Sequence, residues 1–238
     1  MSQSKISRIE TGKAVPTVFD VQSILRALEV PQERADELMT LARLANTEFR
    51  DFRSERRSGL HHLQNELEAL ERDAREIRFF LPTMLTGLLQ TAEYARATDL
   101  GQHPKALARR LERQRVLFDD SKQFTFLLTE AALRWPLLPH VGMALQLDRL
   151  VSVNRLPAVR IGITPFRTPL PVSPLNTFTI YDEKLATTET IGGLVIMRDP
   201  RDVEIHLAEF RAFEPHTLWG SDATEFLSQL AEEFRARD

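Results

Sequence analysis

Three groups of residues in this chain have types and spacings that could do chemistry. The first is the opening stretch Met1 to Lys13, MSQSKISRIETGK, where Ile6 and Ile9 share one side of a short helix and Gly12 can end it in the left-handed conformation. A helix with an apolar underside and a polar tip can lie in a DNA major groove, where Gln and Arg side chains read base edges while Ser and Lys hold phosphates. The second is the segment Pro104 to Phe118, in which Lys105, Arg109, Arg110, Arg113 and Arg115 stand against Leu107, Leu111 and Leu117. It is either the solvated face of a surface helix or an anion site for a carboxylate or phosphate, since guanidinium forks suit both. The third is a scattered titratable set: Glu71, Arg72, Arg78, Tyr94, Glu130, Arg134 and His140. Inside a cleft, Glu130 could shuttle a proton and Arg134 hold a carboxylate; elsewhere each is a structural ion pair or an exposed side chain. Arg78, Tyr94, Arg113 and Trp135 are the candidate ligand-binding residues, with Met84, Phe166 and Trp219 as apolar walls or plain core.

Composition narrows these options. The 238 residues carry a net charge of -3, so any contact with nucleic acid rests on a local patch and not on bulk charge. Cysteine is absent, which excludes disulfides, thiolate metal sites and a cysteine nucleophile, and fits a cytoplasmic location. No apolar run approaches the roughly 20 residues of a membrane span, so no membrane partner is expected. A phosphate-binding glycine loop, a GxSxG elbow and an HExxH helix are all missing. His61 and His62 are adjacent, and neighbours on a helix point about 100 degrees apart, which disfavours joint metal chelation. Neither metal nor cofactor is expected. The titratable set remains compatible with a cofactor-free enzyme of a natural-product pathway, condensing an amine with a carbonyl compound in a Pictet-Spengler-type cyclisation.

The elements that would position these groups follow from periodicity. After the opening helix, Pro16 sets up a second one with Val18, Val21, Leu25 and Leu28 on one side, and a third runs from about Gln32 to Phe52. The charged, turn-prone residues 53–59 read as a linker between a segment 1–52 and a domain 60–238. Leu60, Leu63, Leu67, Leu70, Ala74 and Ile77 then predict a long helix that stops at Pro82. Strands are expected at Phe124–Thr129, Val159–Ile163, Thr177–Tyr181, Leu185–Thr190 and Leu194–Met197, joined in a small antiparallel sheet. Helices at Pro200–Phe213 and Asp222–Arg237 close an α+β, mainly helical fold.

Ser2 to Val30, with its ISRIETGK signature, resembles the recognition helix and following core helix of an Xre-type helix-turn-helix domain. The stretches LTGLLQTAEYARA (Leu85–Ala97), RLERQRVL (Arg110–Leu117), LTEAALR (Leu128–Arg134), ALQLDRL (Ala144–Leu150) and IGITPF (Ile161–Phe166) resemble the large C-terminal domain of a bacterial family of such regulators, some of them antitoxin-like. The resemblance implies that Gln3, Ser4 and Arg8 face bases while Ser2, Thr11 and Lys13 lie near phosphates. It also implies a homodimer, a small-molecule effector or a small partner protein. A complete domain of this kind has two helices ahead of the recognition helix, so the resemblance implies an N-terminally truncated copy. DNA binding then either depends on those helices being supplied or has been lost.

Overall fold

The computed structural model describes residues 1–51, 61–98 and 103–237. The linker expected at 53–59 lies outside them. Three helices come first: α1 (Gln3–Glu10), α2 (Val18–Ala27) and α3 (Gln32–Ala45). Ser2 caps α1 through its side chain, and Gly12, at φ +68°, turns the chain out of it. Thr17 and Asp20 form a reciprocal capping box at the start of α2. The third helix ends at Ala45, short of the expected Phe52, because Asn46 turns its side chain back to donate to the carbonyls of Ala42 (2.7 Å) and Pro16 (3.0 Å). Residues Thr47–Asp51 then form a strand, β1.

Beyond the undescribed stretch, α4 (His61–Asp73) leads into β2 (Glu76–Leu81). The three-and-four spacing predicts a helix that runs on to Pro82, whereas the helix gives way after Asp73. The Asp182 carboxylate accepts from the backbone N–H groups of Arg75 and Glu76 (2.8 Å each) and draws this backbone into the sheet. There follow α5 (Ala92–Ala97), α6 (Pro104–Arg113) with a 3-10 turn over Gln114–Phe118, β3 (Gln123–Thr129), α7 (Glu130–Arg134), α8 (His140–Val153) and β4 (Val159–Thr164). The chain continues with β5 (Phe178–Tyr181), β6 (Leu185–Glu189), β7 (Gly193–Met197), α9 (Pro200–Phe213) and α10 (Gly220–Arg235).

The fold is α+β and mainly helical, and its sheet is larger than expected: seven strands in the order β1-β7-β6-β5-β2-β3-β4. Strands β5, β6 and β7 pair antiparallel, as expected, and β1 adds antiparallel to β7. In contrast, β2, β3 and β4 run parallel. Helices lie between each of those pairs in sequence, and such crossovers are what parallel pairing requires. Strand alternation sorts the core into two layers. On one face Ile77, Phe79, Phe124, Phe126, Ile161 and Ile163 meet α8 and α10; on the other Phe80, Leu127, Phe178 and Ile180 meet Val203, Leu207, Phe210 and Phe213 of α9. At the β4 edge, Gly162 leaves room for the Trp219 ring, which an added Cβ would meet at 2.4 Å. No helix among the described residues is long and apolar enough to cross a membrane.

Candidate functional site

Two places have the composition of a functional site. The first is α1, in which no residue is buried. Gln3, Ser4 and Arg8 are exposed on it, and Ser2, Thr11 and Lys13 are exposed at its ends. Around α1 stand the cations Lys5, Arg8 and Lys13 and the carboxylate Glu10. One of those cations fixes the helix: Lys5 Nζ lies 2.7 Å from Oδ1 of Asp20 on α2. Burial works against ionisation of Asp20, yet the hydrogen bonds from Lys5 and Thr17 hold its carboxyl below the usual range.

The second is a cleft where α4, α6, the loop after β2 and the ends of β5 and β6 converge. Its cavity of about 50 Å³ is lined by Glu71, Gly87, Gln90, Arg110, Arg113, Tyr181 and Glu189 among others. Ala106, Arg110, Arg113 and Leu117, at spacings of three and four, form the inner side of α6 and its extension, while Lys105, Arg109, Glu112 and Arg115 are exposed. Arg113, 6% exposed, donates through Nη1 to Gln64 (2.8 Å) and lies 3.1 Å through Nε from Oε2 of Glu71, itself 2% exposed. Arg110 donates through Nη1 to Gln90 (2.8 Å). A Cβ on Gly87 would meet the Arg110 side chain at 3.0 Å, so this glycine lets the guanidinium cross the loop. The loop itself is held by amides. Gln90 donates to the Leu85 carbonyl (2.7 Å), Gln114 to those of Gly87 (2.8 Å) and Gln90 (2.7 Å), and Gln146 to that of Leu89 (2.9 Å).

Burial dominates the electrostatics of this cleft. It pushes the Glu71 carboxyl up to about 7, against the pull of Arg113, and nearby Glu68 adds to the rise. Burial together with the like charge of Arg113 brings Arg110 down to about 10. Because the folded chain keeps a proton on Glu71 that the unfolded chain releases, the Glu71 contribution to stability falls as pH rises from 4.5 to about 7 and is level above that. Unfolding measured across this range is expected to show a shallower fall in Glu71→Gln than in the wild type. Equal slopes in the two proteins would contradict a buried, proton-holding Glu71.

The other candidate residues are dispersed. Arg78 on β2 pairs with Glu76 (2.7 Å) and Glu183 (3.0 Å). Tyr94 is wholly buried in the core, where burial pushes its hydroxyl up to about 12. Trp135 is 66% exposed. Of the four ligand-binding candidates, only Arg113 lines this cleft. Glu130 and Arg134 do meet, with Arg134 donating to Glu130 and, 2.8 Å away, to Glu233 of α10. The second oxygen of Glu130 accepts from the Phe166 backbone at 2.9 Å. That arrangement ties α7 to the loop after β4 and to α10. Gln64, Gln90, Arg110 as an inward residue, and Glu189 were not singled out from the sequence. The available signal was Arg110 and Arg113 sharing the inner stripe of α6 with Ala106 and Leu117. No group of three or more His, Asp or Glu residues that could hold a metal occurs among the described residues.

Residues 1–38, which hold α1 and α2, match the model of a helix-turn-helix domain, and that match supports a protein of the regulator type. Residues 64–229 match the model described as a domain of unknown function (DUF5753), and the chain belongs to that family. No curated protein matches it. Among solved structures, it is similar to a phospholipase D family member, Nuc from Salmonella typhimurium, at 10% identity over 66% of this chain and 90% of that one, with a TM-score of 0.39. It is also similar to TrmBL2, an archaeal chromatin protein, at 14% identity over 83% of this chain and 64% of that one, with a TM-score of 0.36. Likenesses this distant carry no argument about function.

Proposed function

We propose that the chain is an Xre-like transcriptional regulator in which α1 reads DNA and the DUF5753 domain responds to a small effector or to a partner protein, as in antitoxin-like regulators, acting in the cytoplasm as a homodimer. The observation that carries this reading is α1 itself: an eight-residue helix with nothing buried, presenting Gln3, Ser4 and Arg8 and held on α2 by Lys5 and Asp20. Gln3, Ser4 and Arg8 are assigned to bases, and Ser2, Thr11 and Lys13 to phosphates, because amide and guanidinium groups suit base edges while short hydroxyls and an ammonium suit phosphate oxygens. Helices ahead of Met1, where supplied, would add to the support of α1.

The test is fluorescence anisotropy of the full chain on its own promoter fragment between about 50 and 200 mM salt. Affinity is expected to fall steeply with salt, and Arg8→Ala to weaken specific binding by about tenfold or more. Binding indifferent to both salt and Arg8 would overturn the assignment. The acid-base enzyme alternative is not adopted, since both oxygens of Glu130 are engaged in holding elements together.

A further inference from the structure

We propose that the cleft between α4, α6, β5 and β6 binds the oxyanion head of a small organic acid, with Arg110 and Arg113 as its donors. This names the effector class for the regulator reading above and rests on that reading only for its consequence at DNA.

Geometry supplies the donors. Nε of Arg110 is buried with no hydrogen-bond partner, and Nε of Arg113 is buried beside Oε2 of Glu71, 3.1 Å away in an ion pair. A buried guanidinium N–H left unpaired is costly, and an oxyanion in the cavity that both arginines line would accept from Arg110 and take the place of Glu71 at Arg113. Size sets the ligand. At roughly 10–15 Å³ for each water-sized occupant, the cavity admits a group of a few heavy atoms such as a carboxylate or a phosphate, and no more. A second cavity of about 30 Å³ adjoins it, shared at Phe79, Met84, Leu85, Thr86, Thr179 and Glu189 and bounded further by Leu81 and Thr177. That annex, with Thr86, Thr177, Thr179 and Glu189 facing apolar side chains, suits a short tail of mixed polarity.

Charge completes the account. Glu71 and Glu189 already face the two arginines, so an incoming anion needs one of these negative charges to give way. Glu189 stands at the exposed end of β6, and desolvation raises its carboxyl against the pull of Arg110 and Arg113. Glu71 is enclosed, with Arg113 and Gln64 on one side, Tyr181 of β5 on another, and the charges of Glu68 and Lys122 near by. Its carboxyl already takes up a proton close to neutrality, so anion binding proceeds with proton uptake at Glu71. Affinity therefore weakens as pH rises through neutrality, by at most about tenfold per pH unit for one proton.

The experiment follows the arginine Nε–H resonances of the full, 15N-labelled chain during titration with acetate, inorganic phosphate or chloride at matched ionic strength, without DNA. The expected result is a saturable shift of the Arg110 and Arg113 signals with acetate or phosphate and none with chloride. Whichever of the two acids binds more tightly identifies the head group. Arg110→Gln should weaken binding by about tenfold or more, in line with losing a charged donor. Should that variant unfold, Gly87→Ala, which crowds Arg110, is expected to weaken binding in a folded protein. Signals that do not move, or that move equally with chloride, would overturn the site. Saturable binding that leaves promoter affinity unchanged supports the site and counts only against an effector role.

Discussion

Gly193→Ala is expected to cost about 3 kcal/mol and to release the N-terminal helices from the sheet. Gly193 opens β7 opposite Asp51 of β1, and a Cβ built there would stand 2.1 Å from the backbone oxygen of Arg50 and 2.7 Å from the Phe49 ring. A side-chain tip could rotate away, but a carbonyl oxygen moves only if its strand moves. The β1–β7 ladder must open at that end. Since β1 follows α3 after a single residue, opening it loosens the seat of the whole helical unit. Hydrogen exchange should show the loss first in the amides of residues 47–50, with β2, β3 and β4 still protected, and promoter affinity should fall without any change in α1. Unaltered melting and unaltered protection of β1 would show that the strand does not anchor these helices.

Phe80→Ala is expected to be the most destabilising single truncation, at about 4 kcal/mol, or a melting temperature lower by roughly 8–16 °C. Phe80 is fully buried on the α9 side of β2, with ring centroids 4.9 Å from Phe178 and 4.7 Å from Phe213. It is the residue through which the middle of the sheet, its antiparallel half and α9 share one apolar layer. Phe49→Ala removes the same chemistry from a ring that is 57% exposed, and it serves as the control, with an expected effect within about 1 kcal/mol. Comparable melting of the two variants would mean that the α9 layer contributes little to the core.

Much of this architecture is legible in residue spacing. The helix over Pro200–Phe213 follows from an apolar period of three-to-four, because one of its faces is in the core, and the strands from β3 to β7 follow from short runs rich in β-branched and aromatic residues, although β3, β4 and β5 are covered on both faces. What escaped was set by tertiary partners. β2 reads EIRFFL and is buried on both faces at Phe79, Phe80 and Leu81, so it has no alternation, and the helical spacing before it runs on without a break. β1 is five residues long, and its identity depends on β7. The parallel pairing of β2, β3 and β4 followed from the helices between them, yet the short turns after β5 suggested one antiparallel sheet throughout.

The candidate sites divide in the same way. The exposure of the α1 candidates could be read from local sequence, because a short polar helix carries its chemistry on its own surface. The cleft could not be, since Gln64 and Glu71, Arg110 and Arg113, and Glu189 come from three separate stretches. Arg78 and Trp135 looked equally suitable by residue type, and only burial separates them from Arg113. A guanidinium on the inner stripe of an amphipathic helix, beside Ala106 and Leu117, is the one feature of the cleft that pattern alone could have supplied.

The position of β1 also sets when the N-terminal helices can join the sheet. Its hydrogen-bonding partner β7 lies at the far side of the sequence: Arg198 and Glu48, 150 residues apart, meet side by side, and Arg198 N–H donates to the carbonyl of Asn46 at 3.1 Å. On a ribosome adding about 5–20 residues per second, α1, α2 and α3 emerge on the order of ten seconds before β7, the strand with which β1 pairs. Closing so long a loop is a late and slow step. The N-terminal helices are thus tied to the sheet through β1 only once most of the chain has been made.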